Sequence, residues 1–227
     1  MKPLYLLTED DSDDLIYEAF AERVTGSVFT PSSRRMRKGS GIGAVRASLK
    51  LLLAEARRMA AGSGAHFVLA MDNDRAPHTA AADSLPAAQR SRLEKMDARK
   101  SDRHAGLLSV LEETLGRDRS RWPVSAAIAV PVEMIESWLL LIARGGQAAD
   151  LPRFSRRDSA LSRHFHQPAE PPPQLKDLRD AAWVEDGFPN CQEWALSLVM
   201  EKLDAADLAQ RSPSFALFKS WLDGWPK

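Results

Sequence analysis

Acidic residues close three of the apolar runs in this chain. Glu9 follows Leu4-Tyr5-Leu6-Leu7, Asp72 and Asp74 follow Phe67-Val68-Leu69-Ala70, and Glu133 and Glu136 follow Ala127-Ile128-Ala129-Val130. If these runs are parallel strands joined by helical crossovers, their carboxyl ends share one edge of a sheet, where open α/β folds bind their ligands. Carboxylates gathered there repel one another unless a cation sits between them, and Mg²⁺ takes oxygen donors while keeping several of its waters. Such an ion suits phosphodiester transfer, since Mg²⁺ or Mn²⁺ neutralises charge on the phosphate oxygens and positions or activates an attacking water. On this reading Asp72 and Asp74 are the principal metal ligands and Glu9 is a ligand or the general acid/base. Glu136 binds a second ion or orients water, and Glu133, three residues earlier on the same helix side, is a further metal candidate. Each acid alone is ordinarily a helix cap or a surface group. The chemical argument rests on their shared position.

The elements that must position these groups follow from the pattern of apolar residues. The first run leads into Glu9-Asp10-Asp11-Ser12-Asp13-Asp14 and then Leu15, Ile16, Ala19, Phe20 and Val24 at helical spacing. Strand, acidic turn and amphipathic helix is the expectation, and the helix dipole accounts for several of the Asp residues in the first turn. Val28-Phe29-Thr30 reads as a weak second strand. Gly39-Ser40-Gly41-Ile42-Gly43 then opens a helix carrying Val45, Leu49, Leu52, Leu53 and Ala56 on one side. That turn lacks both the Gly-Lys-Ser/Thr ending of a phosphate loop and the dinucleotide glycine spacing, so it reads as turn chemistry. Ala65 to Met71 predicts a buried third strand, and Pro123 to Val132 a fourth. Between them, residues 75 to about 103 form a long polar insertion, which reads as a functional loop or a mobile one, and its Arg90, Arg92, Lys95, Arg99, Lys100 and Arg103 could reach a polyanion. A helix marked by Leu107, Leu108, Leu111 and Leu115 follows it.

Past Gly145-Gly146 the character changes. Pro168 to Pro173 predicts an extended connector, and two helices are expected beyond it. One lies around Trp194, Leu198, Val199 and Leu203. The other is capped by Ser212-Pro213 and carries Phe215, Phe218, Trp221 and Leu222. Their aromatics are expected to pack on the α/β unit. The organisation is thus an α/β core over residues 1–145 and a helical extension over 146–227.

Composition narrows the classes. The chain of 227 residues is 44% hydrophobic, enough to bury a sizeable core. No apolar stretch approaches the roughly 18 residues of a spanning helix, and the opening meets acid too early for a secretory signal, so a cytoplasmic setting is expected. The lone Cys191 excludes an intramolecular disulfide framework and a multi-thiolate zinc site, and reads as a small buried hydrophobe. With 31 basic and 31 acidic residues, bulk charge argues for no polyanion. Its distribution is less even: Arg34, Arg35, Arg37, Lys38, Arg46, Lys50, Arg57 and Arg58 fall where Glu55 is the sole acid, a face that can meet phosphate or simply be solvated. His78 and His104, flanking the insertion, and His164-x-His166 read as surface histidines.

With Glu9, Asp72-Asn73-Asp74 and Glu136-Ser137-Trp138 in place, residues 1 to about 145 resemble the TOPRIM superfamily, the topoisomerase-primase fold. More narrowly they are similar to small stand-alone bacterial proteins related to the overcoming-lysogenisation-defect nucleases. In that superfamily a glutamate follows the first strand and an Asp-x-Asp motif follows the third. The resemblance therefore makes Glu9 the first motif and Asp72 with Asp74 the second, while Glu136 matches the later acidic position of the stand-alone branch. Asp10 stands where the superfamily commonly has glycine. The implied fold is α/β, a Rossmann-like core with a mostly parallel sheet of about four strands flanked by helices. The implied activity is Mg²⁺-dependent phosphodiester cleavage of nucleic acid, in phage defence or on a mobile element, with an ATPase encoded elsewhere as a possible partner.

Two other readings stand beside it. One is a non-catalytic TOPRIM-like module that binds nucleic acid or a partner protein. The other is a phosphoacceptor receiver domain, because Leu6-Leu7-Thr8-Glu9-Asp10-Asp11 resembles the acidic opening of response regulators. There the acceptor Asp ends the third strand, and the candidate here, Asp72, lies further along the chain from the acidic opening than the receiver spacing has it. A receiver also needs a Lys strand end, and here Ala126 to Val132 ends in Glu.

Overall fold

The computed structural model describes residues 2–8, 11–33, 42–59, 64–72, 103–131, 135–146 and 175–226. Four parallel strands form the centre: β1 (Lys2–Leu7), β2 (Phe29–Ser33), β3 (Ala65–Ala70) and β4 (Val124–Ala129), in the order β2-β1-β3-β4. Leu4 to Leu7 of β1 and every residue of β3 are buried. This is the unbroken apolar run of strands covered on both faces, and it is why periodicity alone could not assign their faces. β2 begins one residue later than the sequence suggests, leaving Val28 63% exposed. It extends through Pro31, a residue tolerated because β2 lies at the edge of the sheet, where a missing N–H interrupts no inner ladder.

Alternation along the strands divides the core in two. Leu4, Leu6, Val68, Ala70, Ala127 and Ala129 face α1 (Asp11–Thr25) and the C-terminal helices. Tyr5, Leu7, Phe67, Leu69, Ala126 and Ile128 face α2 (Ile42–Met59) and α3 (Arg103–Leu115). One helix thus covers the first face after β1, and two cover the opposite face after β2 and β3, as right-handed crossovers require when the chain runs outward to β2 and then back past β1. α1 buries Ile16, Tyr17, Ala19 and Phe20 but leaves Leu15 44% exposed. The stripe begins one residue later than the apolar pattern implied, and the amphipathic Tyr17 joins it.

After β4 come α4 (Glu136–Arg144), α5 (Leu175–Glu185), α6 (Cys191–Ser197, running on through a π-helical turn over Leu198–Lys202), α7 (Ala205–Arg211) and α8 (Pro213–Asp223). Two of these, α5 and α7, are helices that the apolar pattern did not reveal. α5 buries only Leu175 and Ala182, and α7 only Leu208, so neither carries a stripe strong enough to stand out. Trp138 of α4 centres the first core. Its indole stacks on Phe218 with ring centres 5.6 Å apart and meets Phe20 and Phe215 edge-on, while its Nε1 donates to Ser214 Oγ at 2.9 Å. The aromatics of the last helix therefore do pack on the α/β unit. Among the described residues no helix is long and apolar enough to cross a membrane.

Candidate functional site

Register places the strand ends. Leu7 of β1 pairs with Leu69 of β3, and Ala70 of β3 with Ala129 of β4. The ladder continues one step further, with the Met71 amide donating to the Ala129 carbonyl at 3.1 Å. Thr8, Asp72 and Val130 therefore leave the sheet along one edge. β1 and β3 are also where the winding reverses, since the helix after β1 lies on one face and the helices beyond β2 and β3 on the other. Helices that diverge at such a point leave a crevice outside the carboxyl ends of the strands.

Of the acids marked by the sequence, Asp72 is half-buried at this edge and Glu136 is 5% exposed in the first turn of α4. Glu9, Asp74 and Glu133 lie outside the described residues, as do residues 34–41 with the first part of the glycine-rich turn, whose Ile42 and Gly43 open α2, and 73–102 of the insertion, the proline-rich connector, His78, His164 and His166. Two features of the described residues were not anticipated. Thr8 is buried, and its hydroxyl donates a hydrogen bond to Asp14, itself buried in the first part of α1. One carboxylate of the acidic turn is thus drawn into the edge of the sheet while its neighbours serve the helix. Helical spacing carried the signal, because Asp14 sits three residues before Tyr17 and seven before Ala21, both buried, and so lies on the apolar stripe. Its charge is felt further along α1: burial, then Glu22 and Asp14, raise the Glu18 carboxyl above the usual range.

The second feature concerns Glu136. Its Oε1 accepts from Arg179 Nη1 of α5 at 2.7 Å, and Arg179 also bonds Asp180. Burial works against the guanidinium charge, but Asp180 and Glu136 together hold the Arg179 pKa above its ordinary value. The Cys191 thiol beside this group is half-buried rather than the fully buried hydrophobe expected, and its pKa is pushed up by burial with Arg179 acting in the opposite sense. About two turns beyond, Arg144 of α4 pairs with Glu185 at 2.8 Å and Asp186 at 3.0 Å, and Asp186 accepts from Trp194 Nε1. α5 is therefore tied to α4 by charge as well as resting on the core through Leu175, Leu178, Ala182 and Trp183. No pattern in the sequence pairs Glu136 with a residue 43 positions away.

The donors at the edge are oxygens, from Asp72, Asp14 and Thr8, which suits a hard divalent cation. Glu136 fits a ligand role less well, because one of its oxygens already serves Arg179. Among the described residues no three His, Cys, Asp or Glu side chains gather in a metal-holding group. Of the basic face, Arg46 is committed to a 3.0 Å ion pair with Glu113, which ties α2 to α3. No family model, curated protein or solved structure matches the chain.

Proposed function

We propose that this chain is a Mg²⁺-dependent nuclease of TOPRIM type, with its site at the carboxyl edge between β1 and β3. The observation that carries this reading is the parallel register of those strands, which brings Thr8, immediately before Glu9, to the same edge as Asp72, immediately before Asn73-Asp74. Asp72, Asp74 and Glu9 would hold the ion, Mg²⁺ or Mn²⁺. When bound, the ion would supply charge neutralisation on the phosphate and activation of water. Glu9 is the general acid/base candidate. Thr8 and Asp14 fix the start of α1 against the end of β1 and so set where the intervening residues begin and end. Glu136, with Oε1 held by Arg179, keeps Oε2 to orient a water; Glu133 remains a ligand candidate for a second ion. Nucleic acid is the proposed substrate and the cytoplasm the proposed setting. Phage defence or a mobile element, under a separately encoded ATPase, is the proposed context.

Nicking of supercoiled plasmid with Mg²⁺ or Mn²⁺ tests the reading. Nicking that disappears in Asp72→Ala and Glu9→Ala supports it, and nicking unchanged by both defeats it. The strand order also favours a second reading. β2-β1-β3-β4 is the doubly wound order of flavodoxin-like sheets, to which receivers belong, and Asp72 closes β3 as their acceptor does. Acetyl phosphate labelling of Asp72 would select the receiver and reject the nuclease. Binding of nucleic acid without either reaction would leave the non-catalytic module.

A further inference from the structure

At the opposite end of β4 a groove of about 760 Å³ opens, lined among others by Arg119, Ser120, Trp122, Ser125 and Trp221. Its lining runs along β4 only as far as Ala126, three residues or roughly 10 Å short of the carboxyl end of the strand, so it belongs to a different surface. Its volume lies in the range of ligand pockets, and its wall is layered. Trp122 and Trp221 lie within 14° of parallel with ring centres 6.2 Å apart, and the Arg119 guanidinium sits 4.2 Å from the centre of the Trp221 ring. Trp122 is held in place, because its Nε1 donates to the Gly116 carbonyl at 2.7 Å. A planar ligand can therefore join the stack without first ordering the indole.

The charge around the stack selects the ligand. The short segment before β4 carries Arg117, Arg119 and Arg121. Arg121 pairs with Asp118 at 3.1 Å, Arg119 approaches Glu112 only to 4.0 Å, and Arg117 enters no ion pair among the described residues. Asp223, near the same surface, is neutralised by Lys219 at 2.7 Å. The balance is cationic, beside flat aromatic faces and serine hydroxyls. Stacking platforms beside arginines are how proteins hold unpaired nucleic acid, with bases on the rings and phosphates on the cations.

We propose that this groove binds a single-stranded segment of nucleic acid, bases against Trp122 and Trp221 and phosphate on Arg119, the arginine that lines it. The site does not depend on the proposed nuclease chemistry and works without divalent ions. Binding of a labelled oligothymidylate to the full chain, followed by fluorescence anisotropy in EDTA, separates the two. The expected result is binding that weakens about tenfold in Trp122→Ala and in Arg119→Ala, is restored in Trp122→Phe, and is unaffected by Asp72→Ala. The Arg119→Ala variant should also show a shallower dependence on salt. Arg119 is half exposed, so its removal leaves the fold intact and keeps the test valid should Trp122→Ala unfold. No binding in EDTA, equal binding by both variants, or duplex bound as tightly as single strand would each overturn the proposal. Capture of an acidic peptide in place of oligothymidylate would do so as well.

Discussion

Replacing Arg179 with methionine strands the Glu136 carboxylate. Its Oε1 loses the 2.7 Å partner while the side chain stays 7% exposed. Removing one member of a buried pair costs about 3–5 kcal/mol, because the remaining charge is left uncompensated. Arg179 is 22% exposed, and water entering from that side brings the expectation down to about 2–3 kcal/mol. The accompanying contact to Asp180, at 2.8 Å but on an exposed carboxylate, contributes less than about 1 kcal/mol. The double variant Glu136→Gln/Arg179→Met removes the stranded charge, so it should be more stable than Arg179→Met alone, with a coupling of about 1 kcal/mol or more. Urea unfolding at pH 7, followed by tryptophan fluorescence, measures all three. If Arg179→Met costs less than about 0.5 kcal/mol, or if the two substitutions simply add, the pair does not tie α5 to α4 and the account of that helix fails.

Other outcomes follow from the same packing. The His66 ring, 2% exposed, lies 4.8 Å from Trp225. Burial, with the Lys2 charge, lowers its pKa to about 4, against a smaller opposing effect from the Pro3 backbone. The unfolded chain thus takes up a proton near pH 6.5 that the folded chain refuses until about pH 4. Stability should fall by up to about 3 kcal/mol as pH drops through that window, and urea titrations of His66→Leu should show a correspondingly flatter profile. Trp138→Ala should cost about 3–5 kcal/mol, the usual range for emptying a large buried aromatic site, read as a lower urea midpoint. Asp204 caps α7, its Oδ1 accepting from the Ala206 and Asp207 amides at 2.9 and 3.0 Å. Asp204→Ala should lose about 1 kcal/mol in the same assay.

β1, β3 and β4 were legible in the sequence because parallel strands buried on both faces are written as short unbroken apolar runs, whereas the edge strand β2 was faint and the strand order was not written there. Ala65–Ala70 is the clearest case. The helices of the core were legible for a related reason, since Val45, Leu49, Leu52 and Leu53 repeat with the helical period and all are buried. α5 was not, because its Leu175, Leu178 and Ala182 make only a short apolar stripe in a charged segment, and the rest of its anchoring is Arg179 on Glu136 and Arg144 on Glu185 and Asp186. Charged residues at such separations carry no periodic mark. The same holds within the candidate site. Asp72 could be placed at a strand end from its neighbours alone, and helical spacing put Asp14 on the buried side of α1, whereas nothing in the spacing named the Thr8 hydroxyl that donates to it. The groove beside Trp122 joins a segment before β4 to the last helix, two places that only the folded chain brings together.

Uptake of Mn²⁺ is the most direct test of the site between β1 and β3. Electron paramagnetic resonance of a Mn²⁺ solution at neutral pH reports free ion. The account predicts that the protein depletes that signal and that Asp72→Asn and Glu9→Gln each restore it while remaining folded. Depletion of equal size in the parent and both variants, or none in any of them, would contradict it.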